Sequence, residues 1–316
     1  MKRIITILIL ILSSFFAKSQ YRWDYGGVLG TSNYLGEIGG TGAKSKGFLG
    51  DLNFDKTKAT IGGFARFKIH PLLSAKVALT NYTIAGADSL AKGVRALRNL
   101  SFKTNITELS AILQFYFFSI NDLGNSYKAR NDLRFYIFGG ISGFYYNPKA
   151  FYDDGGGGKW YTLQPLHTEG KENQYSRFSW GIPGGGGIYF TLGKAYRFGW
   201  EIGANKTFTD YLDDVSAKYA NPATDFNDLS PENKVVAIAL SNRFTVNPKD
   251  PLSSENEGNY SSGNPRGSPK KSNDYFIYTT FNASYVMRGS SSFYKSKYAS
   301  VFGKRYTKRR KTRAKF

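Results

Sequence analysis

Apolar and polar residues alternate with a period of two over eight stretches of the chain. In 133–145, Leu133, Phe135, Ile137, Ile141 and Tyr145 hold odd positions, while Arg134, Gly140 and Ser142 fall among the even ones. Residues 176–190 repeat the pattern in the other parity, with Phe178, Trp180, Ile182, Ile188 and Phe190 set against Arg177, Ser179 and Gly181. Residues 196–208 place Tyr196, Phe198, Trp200, Ile202 and Ala204 against Arg197, Glu201 and Asn205. Near the end, Tyr275, Ile277, Phe281, Ala283 and Tyr285 alternate with Tyr278, Thr280, Asn282 and Ser284. Four earlier stretches, 23–36, 59–69, 73–85 and 105–117, fit the same template. A strand puts such charges on one face, whereas a helix would scatter them around its circumference.

The gaps between these strands alternate in length. His70-Pro71-Leu72, 121–131 and Gly193-Lys194-Ala195 are short or moderate, and the polar stretches 38–57, 86–99, 149–174 and 212–273 are long. An even number of antiparallel strands with short turns at one end and long loops at the other is the layout of an outer-membrane barrel. The expected fold is therefore all-β: an eight-stranded antiparallel transmembrane β-barrel with short periplasmic turns, long outer loops and a basic C-terminal tail. A soluble β-sandwich also alternates. Against it stand strands of 11–15 residues, aromatics near strand ends and repeated charges on the opposite face.

Composition narrows the chemistry. The 316 residues include no cysteine, which excludes disulfides, thiolate metal sites, a Cys nucleophile and a lipid-modified N-terminal Cys. The two histidines, His70 and His167, lie far apart, one at a short turn and one in a long loop. Neither is expected to pair with a strand serine, so no enzyme and no cofactor is expected. Lys2 and Arg3 precede an apolar run from Ile4 to Phe16, and Ala17 and Ser19 occupy the −3 and −1 positions of a cleavage site. That run is too short to cross a bilayer as a helix. The expected organisation is a signal peptide at 1–19, a barrel at 20–288 with a large outer loop at 212–273, and a periplasmic tail at 289–316. The expected location is the cell outer membrane, with outer-membrane lipid as one partner.

Several motifs sharpen this picture. Gly184 to Gly187 lack the Gly-Lys-Ser/Thr ending of a phosphate loop and read instead as a bend or a close side-chain approach. Asp210, Asp213 and Asp214 could ligate calcium, but their spacing is not that of an EF-hand, and a loop-rim structure is expected. Ser230-Pro231-Glu232 predicts a helix over 231–244 with Ser230 as its N-cap. The stretch 247–273, rich in Ser, Asn, Gly and Pro, reads as mobile. Arg66, Lys68, Glu108, Arg134, Arg177, Arg197, Glu201 and Arg288 are expected inside the barrel as ion pairs that fill it.

The formal net charge is +20, and half of it lies beyond Gly289, where ten Lys/Arg occur without an acid. The densest part carries Lys304, Arg305, Lys308, Arg309, Arg310, Lys311 and Arg313. In an exported protein such a tail faces acidic protein or anionic lipid and no nucleic acid. A merely solvated tail is the plain alternative.

Tyr25-Gly26-Gly27-Val28-Leu29-Gly30-Thr31-Ser32-Asn33-Tyr34-Leu35-Gly36-Glu37, Thr209-Asp210-Tyr211-Leu212-Asp213-Asp214-Val215-Ser216 and the closing Arg288-Gly289 resemble the PorG family, outer-membrane barrels of the type IX secretion system of Bacteroidetes. The basic end at Ala314-Lys315-Phe316 is also similar. The resemblance covers most of 21–290 and implies a non-enzymatic component that links the outer membrane to a periplasmic PorK–PorN ring, or a part of the associated gliding machinery. The alternative is a small barrel that binds a ligand or surface partner through its outer loops.

Overall fold

A computed structural model describes residues 23–38, 54–90, 94–120, 131–153, 155–193, 195–244, 251–267 and 273–287. The stretch 1–19 expected to be a signal peptide, Arg288 and the basic tail lie outside the described residues.

Each of the eight expected strands is present: β1 (Trp23–Leu35), β2 (Lys58–His70), β3 (Leu73–Ala87), β4 (Ser101–Ile120), β5 (Asp132–Tyr152), β7 (Phe178–Leu192), β8 (Tyr196–Thr207) and β9 (Tyr275–Val286). Every neighbouring pair is antiparallel, and β4 joins β5 while β9 joins β1, so the sheet closes. A further short strand, β6 (Lys159–Thr162), pairs with the loop-side end of β5. It falls within the stretch expected to be loop. Here β5 also runs past its expected end, because Asn147 and Lys149 extend the alternation with polar side chains once the apolar belt has stopped.

The alternation decides which surface meets which solvent. Outward residues are apolar and bare, with Trp180 67%, Phe281 65% and Ile141 64% exposed, whereas Arg66, Lys76, Glu108 and Glu201 are buried inside. Such a belt is untenable in water, but it suits hydrocarbon around a closed sheet whose backbone groups are paired. No helix among the described residues is long and apolar enough to cross a membrane. Aromatic pairs flank the belt at both ends. Trp23–Phe67 and Tyr196–Tyr285 lie on the short-turn side, at ring separations of 4.8 and 5.5 Å, and Tyr145–Phe178 lies on the loop side at 5.0 Å.

The lumen is narrow, and glycine makes it habitable. Gly185 and Gly187 of β7 point inward, where an added Cβ would stand 2.8 Å from the rings of Phe138 and Tyr136 respectively. Their neighbours Gly184 and Gly186 point outward with room to spare. The close-approach reading of this glycine run is therefore correct. Within it, Pro183 has no N–H to donate, and the β5–β7 register is interrupted between Gly139↔Gly184 and Ser142↔Gly181.

The described parts of the loops at 36–57, 88–100, 153–177 and 208–274 gather at one end and fold into a cap. Helix α1 (Val94–Arg98), helix α2 (Pro231–Ser241) and helix α3 (Pro251–Glu255) belong to it. Ser230 caps α2 by accepting from the Asn233 N–H at 3.4 Å, as its sequence predicts. The helix ends at Ser241, three residues early, because Asn242 is extended and spends its side chain on the Tyr260 carbonyl at 2.7 Å. Phe226, Val236, Ala237 and Leu240 pack with Leu163 and Leu166 into a second apolar core.

Candidate functional site: a filled lumen beneath a loop cap

The lumen holds three polar groupings, each built by inward positions of facing strands. In the middle, Glu201 of β8 meets Lys76 of β3, whose Nζ lies 2.9 and 2.7 Å from Oε1 and Oε2. Tyr136 donates to the same Oε1 at 2.6 Å and Gln114 at 3.3 Å, so this buried pair is also hydrogen-bonded. Nearer the short turns, Asp24 of β1 lies 3.0 Å from Arg197 Nη1 and 3.8 Å from Arg66 Nε, and it accepts from Ser284 Oγ at 3.0 Å. Arg66 stacks over Phe64 and Tyr189 at 5.0 and 5.2 Å. Nearer the cap, Glu108 accepts from Asn205, which also donates to Ser142 at 3.0 Å.

The expected interior charges therefore divide. Arg66, Arg197 and Glu201 fill the lumen in ion pairs as foreseen, whereas Glu108 is inside but held by Asn205 and not by a cation. Lys68 is half-buried at the short-turn mouth, and Arg134 donates to the Pro71 carbonyl at 3.2 Å there. Arg177 corrects the expectation: its guanidinium lies 5.5 Å above the ring of outward-facing Tyr145, because the chain at 177 is only entering β7. Lys76 and Asp24 were the unrecognised halves of the pairs. Both were signalled by parity, since Asp24 stands between outward Trp23 and Tyr25, and Lys76 between Ala75 and Val77.

The segment Thr209–Ser216 closes the lumen at the loop end. Leu212 and Val215 are buried in the same cluster as the lumenal Ile84, Phe102, Ile106 and Phe276, so the motif's apolar residues stopper the barrel. Asp214 adopts a left-handed φ of 68°, a conformation Asp tolerates better than bulky residues. Its carboxylate receives hydrogen bonds from Thr168 and, at 2.6 Å, from Tyr175, with Arg266 at 3.5 Å. Asp213 turns the other way, accepting from the Val215 N–H at 3.0 Å and from Tyr34 at 2.7 Å. Asp210 accepts from Ser216 Oγ at 2.7 Å. The three carboxylates diverge, and among the described residues no cluster of three acids or histidines is arranged to hold a metal.

Tyr34 Oη also lies 2.6 Å from Asp274 Oδ1. One hydroxyl has one hydrogen to give, so one of the two facing carboxyls must carry a proton of its own. Burial, chiefly, pushes both Asp213 and Asp274 well above the usual carboxylate range. Neighbouring acids add to it, Asp274 and Glu37 for Asp213, and Asp210 and Glu37 for Asp274. Glu169 accepts from the Ser216 and Ala217 N–H groups at 3.0 and 2.8 Å and lies 3.5 Å from Arg266. Burial outweighs these contacts and raises its carboxyl to about 7.

Sequence reasoning missed Arg266, which it placed in a mobile stretch. In the described part of that stretch, 251–267, Arg266 is 3% exposed and donates to the Asp214 and Leu240 carbonyls at 2.7 and 3.3 Å. Arg98 likewise clamps Asp88 through Nε at 2.7 Å while donating to the carbonyls of Arg266 and Glu37. No local pattern announces either arginine. His70 accepts from the Leu72 N–H in its turn at 3.3 Å, and His167, in a long loop, faces Asp228 at 3.6 Å.

Closed antiparallel strands, a lipid-facing belt and a lumen filled by ion pairs define the molecule as an eight-stranded transmembrane β-barrel capped by its own loops. Residues 2–249 match the family described as a domain of unknown function, DUF6089, and the chain belongs to that family. No curated protein matches it in sequence. Among solved structures it is similar to the outer-membrane protein OprG of Pseudomonas aeruginosa (10% identity, TM-score 0.36, covering 85% of this chain and 97% of that one). It is also similar to the N-terminal β-barrel domain of Pseudomonas aeruginosa OprF (9%, 0.29, 84% and 99%). A third is Ail, the attachment invasion locus protein of Yersinia pestis, in complex with the heparin analogue sucrose octasulfate (8%, 0.29, 84% and 99%). The fold assignment rests on this chain's own strand register and belt.

Proposed function

We propose that this protein is a non-enzymatic outer-membrane component of a protein secretion machinery of the type IX kind, or of the associated gliding machinery. In this reading the short turns and the tail are periplasmic, the cap is outside, and Lys304–Arg313 docks on acidic surfaces of a periplasmic ring of the PorK/PorN kind. The observation that carries the reading is the filled lumen. With Lys76–Glu201 and Asp24–Arg197 bridging it and Leu212 stoppering it, solute passage is a poor use of this barrel, and its two ends are left to carry the function. The resemblance of the first strand and of the Asp210–Asp214 segment to PorG proteins supports secretion in particular.

The test is affinity capture of the full chain from detergent-solubilised outer membranes, beside a variant lacking 300–316. Ring subunits should accompany the full chain at low salt, leave as salt rises, and be lost with the tail. Insertion of the truncated barrel must be confirmed by heat-modifiable gel mobility. Unchanged secretion by an inserted, truncated barrel refutes the docking role. The ordered cap favours a second reading, in which a surface partner binds the outer loops; capture of no ring subunit by the full chain would support it.

A further inference from the structure

Two lysines stand opposed on the outer wall where they should repel, and an arginine ties to the same strand pair beside them. Lys103 of β4 and Lys149 of β5 are directly opposed in the strand register. Their side chains share the outward face, and like charges in directly opposed positions destabilise a sheet. Arg243, from the segment after α2, reaches the same strand pair, donating to Ser101 Oγ at 3.2 Å and to the Phe151 carbonyl. Among the described residues none of the three has a carboxylate partner. The group lies beyond the apolar belt on the loop side, for after Leu109 the outward positions of β4 become Thr107, Asn105 and Lys103. Beside it stand two bare aromatic rings, Trp160 (53% exposed) and Phe151 (41%), 5.7 Å apart edge to face, with Lys103 Nζ 5.8 Å from the Trp160 ring.

We propose that Lys103, Lys149 and Arg243 bind the phosphate of a phosphorylated sugar headgroup of a membrane lipid, with Trp160 as the platform for the sugar. An anion shared between the lysines turns their repulsion into attraction. Location at the rim of the lipid belt favours a membrane lipid over a free anion. An exposed indole is a stacking surface for a sugar ring and has no matching role against a simple glycerol headgroup. The choice of a glycolipid rests on the orientation given above, with the long loops outside.

Native mass spectrometry of the full-length, detergent-purified protein with added lipid A, phosphatidylglycerol or inorganic pyrophosphate tests this. The double variant Lys103→Gln/Lys149→Gln is compared with Lys206→Gln, an outward lysine on the far side of β7, after heat-modifiable mobility shows each barrel folded. Wild type and Lys206→Gln should retain lipid A about tenfold better than the double variant, and pyrophosphate should not be retained. Equal retention of lipid A by the double variant overturns the site and leaves the orientation untouched. Lysine-dependent retention of phosphatidylglycerol in place of lipid A overturns the glycolipid assignment and the orientation together. Retention of pyrophosphate alone, dependent on the lysines, overturns the lipid as ligand.

Discussion

The barrel wall and the loop cap bury charge in opposite ways. In the lumen, Glu201 has Lys76 and Asp24 has Arg197 and Arg66, while Glu108 alone of the three buried acids described there is held by an amide, that of Asn205. In the cap, Asp88 is paired with Arg98, but Asp210, Asp213, Asp214, Glu169 and Asp274, all buried, are held mainly by hydroxyls and backbone N–H groups, with Arg266 serving two of them. A strand pair can bring opposite charges together because its register is set by the backbone. Loops must instead be tied by whatever donors they carry. The lumen should therefore respond to removal of a charge, and the cap to pH.

The largest expected effect is in the lumen. Lys76→Met leaves Glu201 buried without its cation, which costs about 3–5 kcal/mol in comparable cases. Unfolding in urea, followed by gel mobility, should show that loss, and the double variant Lys76→Met/Glu201→Leu should recover most of it. If the single variant is as stable as wild type, the pair does not hold the barrel, and the contrast with the cap fails on the lumen side.

Adjacent glycines offer a sharper instrument. Gly185→Ala puts a methyl group 2.2 Å from the Ile202 carbonyl oxygen, whereas Gly184→Ala faces outward with its nearest neighbour at 3.7 Å. Overpacking of this kind costs about 1–3 kcal/mol, so Gly185→Ala should lower the urea midpoint while Gly184→Ala leaves it nearly unchanged. Equal effects would remove the distinction between the faces, and a larger loss for Gly184→Ala would mean that the parity of β7 is reversed.

How much of this was legible follows from the same contrast. Parity alone placed the outward face of β5, β7, β8 and β9, and it held the missed partners Asp24 and Lys76 in plain view. The α2 helix was legible because Ser230 and Pro231 act on their own neighbours. The cap was not, since its ties join residues far apart in sequence, Tyr34 to Asp213 and Asp274, and Arg98 to Arg266. Polar, glycine-rich composition suggested mobility for a stretch whose described part, 251–267, is tied into the cap through Arg266. Strand β6 failed for a related reason: four residues give too short a run to show a period, and the segment is a strand because β5 offers it an edge.

The pH response of the cap follows from its raised carboxyls. A carboxyl whose pKa is higher in the folded than in the unfolded chain binds extra protons when folded. The stability this gives is complete below about pH 4 and is lost as pH rises through the folded value. For Glu169 that loss runs up to about pH 7, and the Asp213–Asp274 pair extends it upward. Proteolysis within the cap should therefore quicken from pH 5 to pH 8.5, on the order of tenfold for each pKa unit titrated. Asp274→Asn keeps an acceptor for the Leu212 N–H and offers Tyr34 an N–H in place of the shared proton, so it should flatten the profile. A wild-type cap that resists equally at both pH values would show that its acids are not protonated.

The smallest effect separates the two regions most cleanly. Ser230→Ala removes the acceptor of the Asn233 N–H at the start of α2, and loss of such a cap costs about 1 kcal/mol. Helix α2 touches the barrel through β5 and otherwise packs within the cap core around Phe226 and Leu240. If the cap opens as its own unit, amide exchange over 231–241 should quicken about fivefold while the urea midpoint of the barrel stays fixed. A barrel midpoint that falls together with α2 would join wall and cap into one cooperative unit. In that event the Tyr34 node, where a β1 side chain grips two loop carboxylates, is the physical link through which they unfold together.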